Sequence, residues 1–133
     1  MGGTLSKPSS SNGRTLLSST VIIWGIPNCD SVKQMRAAFT EAGWTVDFRD
    51  FKKLGVPADR LTAWMAATGW PALLNRQGTT WRKLDTALQA RVCDASSAAV
   101  LMGQQPSLIK RPVTEWPDGR ITVGRVPVPR AVS

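Results

Sequence analysis

Between Thr20 and Asp50 the hydrophobic period of the chain changes twice, and this restricts the first half of the fold to one arrangement. Thr20–Trp24 is a β-branched, apolar run of the kind that forms a buried strand. From Asp30 the apolar residues Val32, Met35, Phe39 and Ala42 recur at helical spacing, and Gly43 is placed to end the helix. Thr45–Asp50 then alternates Val46 and Phe48 against Asp47 and Arg49, as a half-exposed strand does. Strand, helix and strand in this order make a β-α-β unit, and the crossover helix makes its two strands parallel.

The joint between the first strand and the helix reads Gly25-Ile26-Pro27-Asn28-Cys29, so a thiol stands where the helix begins. The positive end of a helix stabilises a thiolate. A thiol of pKa about 8.5 is only ~3% ionised at pH 7, whereas one shifted to about 6 is ~90% ionised. Cys29 is therefore the candidate nucleophile. Val32 occupies the place where a Cys-x-x-Cys enzyme keeps its resolving thiol, so Cys29 is expected to act as a monothiol released by an external thiol. Asn28 and Ser31 are candidate hydrogen-bonding groups for the thiolate or a bound anion, and both equally fit plain turn and capping roles. Lys33 is either a cation that lowers the thiol pKa or an ordinary solvent-facing lysine. Cys93 reads as a packed small hydrophobe rather than a redox partner, as free cysteines commonly are, and a bond to Cys29 would need the two Cα atoms within about 7 Å.

Further along, Pro57 suits a first helical turn, Leu61, Trp64, Met65 and Thr68 make one apolar face, and Gly69 ends that helix. Ala72-Leu73-Leu74 is too short to assign. Thr79 is placed to cap a short helix through Leu84. Thr86 to about Gln105 reads as helical with a break near Asp94, a suitable N-cap, and Pro106 stops it. Val113–Trp116 and Ile121–Gly124 flank Pro117-Asp118-Gly119, which signals a hairpin. The order is β-α-β, a helical insert at about 55–105, then β-β. This suits an α/β protein with a thioredoxin-like mixed sheet and the nucleophile at the carboxyl end of its first strand. Residues 1–19 read as a flexible leader, 20–127 as a single domain, and 128–133 as an irregular tail. The six tryptophans are expected in packing roles.

Composition narrows the chemistry. The 133 residues contain no histidine, which excludes Cys–His, Ser–His and His-ligand mechanisms, and two cysteines alone make a structural zinc site improbable. Two cysteines also fit a reducing cytoplasm better than a disulfide scaffold. The 17 Lys and Arg against 9 Asp and Glu favour an anionic partner without choosing among a small oxyanion, an acidic peptide and a polyanion. No apolar stretch is long enough to span a bilayer. Leu16–Ile26 is a poor signal peptide, because Ser18, Ser19 and Thr20 interrupt it, and Met1–Ser6 matches a myristoylation pattern only briefly.

Four segments together carry a family resemblance. They are Gly25–Lys33, Leu73–Arg82 (Leu-Leu-Asn-Arg-Gln-Gly-Thr-Thr-Trp-Arg), Gln105–Val113 (Gln-Pro-Ser-Leu-Ile-Lys-Arg-Pro-Val) and Gly124-Arg125. With them the chain resembles the arsenate reductase (ArsC) family, which also contains the Spx regulators, and within it the YffB-like branch of glutathione-dependent thiol reductases. The resemblance implies a thioredoxin-like fold with a helical insert and Cys29 as the single nucleophile. It also implies three arginine positions around an oxyanion. Arg111 and Arg125 match the second and third, while the first is Asn75 with Arg76 beside it. A histidine found four residues before the cysteine in some arsenate reductases is Gly25 here. These two departures count against arsenate and leave thiol chemistry intact.

The resemblance further implies a cis Arg111–Pro112 bend facing the cysteine. The backbone before that proline would pair with an extended thiol peptide, and the Arg111 guanidinium would hold an oxyanion or carboxylate in bidentate fashion. The expected protein is a cytoplasmic, monomeric, glutathione-dependent thiol reductase acting on an oxyanion or disulfide, with no metal or bound cofactor. Glutathione is the expected co-substrate and glutaredoxin a candidate partner. The alternatives are an Spx-like regulator that binds RNA polymerase, whose usual Cys-x-x-Cys switch Val32 breaks, and a family member without catalysis.

Overall fold

The computed structural model describes residues 19–131. Strand Thr20–Gly25 (β1), helix Asp30–Glu41 (α1) and strand Thr45–Asp50 (β2) form the expected parallel unit, with Thr20 opposite Thr45 and Gly25 opposite Asp50. The hairpin strands Val113–Glu115 (β3) and Ile121–Val123 (β4) complete a mixed sheet of order β2-β1-β3-β4. β3 runs antiparallel to both β1 and β4. Gly119 takes φ 93° in the hairpin turn, a conformation that glycine adopts without steric cost.

Alternation along β1 divides the core into two layers. Val21 and Ile23 pack with Met35 and Phe39 of α1 and with Trp116. Trp24, on the opposite face, packs with Phe51, Leu61, Trp64, Leu73 and Met102 of the helical region. The tryptophans do take packing roles. Trp24 and Trp64 meet edge to face at 5.4 Å, and Phe39, Trp44 and Trp116 form a second edge-to-face group. Trp64 Nε1 donates to Glu115 Oε2 (2.7 Å), which satisfies the polar edge of a fully buried indole.

The helical region contains Phe51–Leu54 (α2), Ala58–Thr68 (α3), Trp70–Leu73 (α4), Thr79–Arg82 (α5), Thr86–Arg91 (α6) and Ala95–Gln104 (α7). α3 ends at Gly69, as its sequence indicates. The break at Asp94 is real, because its carboxylate accepts from Ser97 N–H in a reciprocal capping box that starts α7. Two readings need correction. Gly78, not Thr79, is the N-cap of α5. Cys93 is exposed rather than packed, because it sits in the connection before the Asp94 cap, where its N–H donates to Ser97 Oγ and its neighbour Val92 takes the core position.

The helical region is laced to the sheet just upstream of β3. Asn75 N–H donates to the Leu108 carbonyl and Lys110 N–H to that of Leu73, both at 2.8 Å, around a bridge between Leu74 and Ile109. Residues 125–131 form no helix or strand, yet they are anchored. Val126 and Val128 pack on the α1-side core, Trp44 Nε1 donates to the Pro129 carbonyl, and Ala131 N–H to that of Ala42. The expected leader lies outside the described residues except for Ser19. Among the described residues no helix is long and apolar enough to cross a membrane.

Candidate active site

The site forms where β1 gives way to α1. A Cβ built on Gly25 would stand 2.7 Å from Val32 Cγ2, so any other residue at this joint would displace Val32. Cys29 is the N-cap of α1 with extended φ and ψ of −90° and 126°. Its N–H donates to the Ile26 carbonyl (3.2 Å) and its carbonyl accepts from Lys33 N–H (2.9 Å). The thiol is half-buried and makes no strict capping hydrogen bond of its own.

Several groups nonetheless bear on its ionisation. Burial is the largest single influence, and it opposes the thiolate. It is outweighed by the Val32 N–H, the Arg111 side chain, the Ser31 N–H and the positive charge of Arg111 acting together. The net pKa is lower than that of an ordinary thiol. In the sequence Val32 stands as an apolar helix position and as the absent second cysteine, yet its amide is the foremost of the stabilising groups. Nothing in the side-chain pattern marks a backbone donor of this kind.

Arg111 reaches the thiol from the cis Arg111–Pro112 bend that the family resemblance implies. Its Nη1 donates to the Ser107 carbonyl (2.9 Å), while its buried Nε finds no partner among the described residues. A buried guanidinium N–H without a partner is a donor available to an anion. Neighbouring backbone is tied down on both sides, with Lys110 N–H on Leu73 and Gly124 N–H on the Pro112 carbonyl (2.8 Å). That last bond brings Arg125 close to the bend, where it is exposed.

The remaining candidates separate. Ser31 supplies its amide to the thiol, whereas Asn28 is exposed on the turn. Lys33 is exposed too, and it is not among the groups that shift the thiol, so the expected role as thiolate counter-charge falls to Arg111. The Asn75 side chain accepts from Gln77 N–H (3.1 Å) within its own turn. The Arg76 guanidinium lies over the rings of Trp70 and Trp81, at 5.5 and 5.9 Å. Among the described residues no hydrogen bond or ion pair joins Asn75, Arg76 or Arg125 to Cys29. No group of three or more Cys, Asp or Glu side chains is disposed for a metal ion among those residues.

The ArsC family model matches residues 24–128. A relative from Haemophilus influenzae, described only as an uncharacterized protein, is 31% identical over 104 residues, covering 78% of this chain and 90% of its own. Among solved structures, a YffB protein is 43% identical with a TM-score of 0.75, over 80% of this chain and 91% of the other. An arsenate reductase (ArsC) related protein from Brucella melitensis is 44% identical with a TM-score of 0.68, over 83% and 90%. With its thioredoxin-like mixed sheet and its thiol at the start of α1, the chain belongs to the ArsC family.

Proposed function

We propose that this protein is a cytoplasmic, glutathione-dependent thiol reductase whose preferred substrates are mixed disulfides rather than arsenate. The observation that carries the reading is the lowered pKa of Cys29 between the α1 amides and Arg111. The Cys29 thiolate attacks one sulfur of the substrate disulfide. The S–S bond breaks, and the departing thiolate takes a proton from water. When the glutathionyl sulfur is the one attacked, Cys29 carries glutathione as a mixed disulfide. A second glutathione thiolate then attacks that glutathionyl sulfur, releasing glutathione disulfide and restoring the Cys29 thiolate. The net exchange turns the substrate mixed disulfide and one free glutathione into the substrate thiol and glutathione disulfide, so it calls for no metal or organic cofactor.

The buried Arg111 Nε and the nearby Arg125 suit the carboxylates of glutathione. The main chain at Arg111 suits strand-like pairing with an extended thiol peptide. Arsenate is disfavoured because Asn75 is engaged in its own turn, Arg76 lies over the rings of Trp70 and Trp81, and Gly25 leaves no space for a histidine. We expect a monomer, with glutaredoxin as an alternative reductant. The RNA polymerase reading has no observation of its own, and the second position of its usual switch holds the fully buried Val32.

The test is reduction of a small glutathione mixed disulfide, coupled to glutathione recycling. Wild type should turn over and Cys29→Ser should not. Full activity in the Cys29→Ser protein, or a wild-type alkylation rate with an ordinary thiol midpoint and no response to glutathione, would overturn the proposal.

A further inference from the structure

We propose that the groove between α1 and the segment 125–130 binds an acidic, extended stretch of a protein whose disulfide is presented to Cys29. The proposal rests on the reductase reading and names the substrate class that site serves. The groove holds about 420 Å³ and is walled by Gln34, Met35, Ala38 and Glu41 on one side and by Arg125 and Arg130 on the other.

Its two ends are fixed by hydrogen bonds. At the near end, Gly124 N–H on the Pro112 carbonyl holds Arg125 beside the bend that carries Arg111. At the far end, Ala131 N–H on the Ala42 carbonyl holds Arg130 beside the last turn of α1. Between them the segment is pinned by Val126, Val128 and the Trp44–Pro129 bond, so the backbone positions of the two arginines are set before any ligand arrives. From Cys29 to Ala42 the helix rises about 20 Å at ~1.5 Å per residue. An extended peptide covers that distance in about six residues, whereas glutathione, with three, falls short of Arg130.

Charge selects the occupant. Most arginines among the described residues stack on a ring or bond to a carboxylate or carbonyl. Arg125 and Arg130 do neither, and both are exposed within one groove. Arg91, the other exception, lies on the far helical layer. Glu41 is the one carboxylate on the wall and forms no ion pair with Arg130, so it opposes an acidic ligand at the far end.

The experiment uses two peptides of equal length, each carrying one cysteine as its glutathione mixed disulfide. One has Asp and Glu about six residues to either side of the cysteine, and the other has Ser there. Wild type should favour the acidic peptide in kcat/KM by about two- to five-fold at low salt, with the preference fading as salt rises. Arg130→Gln should abolish the preference and Glu41→Gln should enlarge it, while both leave turnover of a small glutathione mixed disulfide unchanged. Equal kcat/KM for the two peptides in wild type, or a preference that survives Arg130→Gln, overturns the proposal. If neither peptide is turned over, the reductase reading fails by itself. Fluorescence anisotropy of the two labelled peptides on Cys29→Ser then decides the groove. An acidic preference lost in Cys29→Ser/Arg130→Gln sustains it, and equal binding overturns it.

Discussion

Replacing Gly25 by alanine should weaken the thiolate without touching it. The added Cβ would stand 2.7 Å from Val32 Cγ2, against an ordinary carbon–carbon contact of about 3.5–4.0 Å. Val32 must therefore withdraw by about 1 Å, and it is fully buried, so overpacking should cost about 1–3 kcal/mol of stability. The residue displaced is the one whose N–H most favours the Cys29 anion. A hydrogen bond to a charged group contributes about 1.5–3 kcal/mol, and losing about 1 kcal/mol of it lowers the thiolate-to-thiol ratio about five-fold. The assay is the rate of Cys29 alkylation against pH, whose midpoint should rise in Gly25→Ala. Adding Val32→Ala removes both γ-methyls, makes room for the new Cβ and should return the midpoint toward wild type. A Gly25→Ala protein that melts earlier with an unmoved midpoint would refute the reasoning, since the contact would then pack the joint without positioning the amide.

Other perturbations test separate parts of the account. Because the folded thiol pKa is depressed, the stability it contributes is fully present above the ordinary thiol pKa and is lost as pH falls through the folded value. The melting temperature of wild type relative to Cys29→Ser should thus rise with pH across the thiol range, and a flat difference would contradict the shift. Asp94→Ala should lower the melting temperature at neutral pH. Ser97 holds the Asp94 carboxyl below its usual range, so that deficit should narrow as acid protonates the wild-type cap. Thr114 is fully buried with no partner for its hydroxyl among the described residues, and an unsatisfied buried hydroxyl costs about 1–3 kcal/mol. The isosteric Thr114→Val should therefore melt no lower than wild type, and a clear drop would show that the hydroxyl is bonded in solution.

What could be read from the chain was what depends on local signals. The period change on either side of Cys29 announced β1, α1 and β2, and Gly69, Asp94 and Asp118-Gly119 marked ends that the structure keeps. α2 leaves little trace in the sequence because four residues carry too little periodicity, although Asp50, whose carboxylate accepts from Lys52 N–H, is a visible cap. The prolines of the C-terminal stretch break any ladder and give it an irregular look in sequence. Its anchoring comes from Val126 and Val128 reaching a core built by distant residues, which no local pattern reports. For Cys93 residue type misleads, and its place just before a helix cap is the better guide. At the site, the thiol and Arg111 were legible, whereas the Val32 amide and the Gly25 contact needed the folded chain.

The helical insert and the thiol chemistry are less separable than the element order suggests. α1 provides only the amide half of the thiolate's environment, through Ser31 and Val32. The guanidinium half comes from Arg111, whose Nη1 is held by the Ser107 carbonyl in the 3-10 turn Pro106–Leu108. That turn is in turn held by the insert, through Asn75 N–H on Leu108, Lys110 N–H on Leu73, and the burial of Leu108 and Ile109 among Leu73, Leu74, Leu101 and Met102. The charge beside Cys29 is thus placed by packing on the opposite face of the sheet. A minimal β-α-β-β-β scaffold would retain the helix start yet lose the support that aims the arginine. This gives the insert a chemical role even though none of α2 to α7 supplies a group that shifts the thiol.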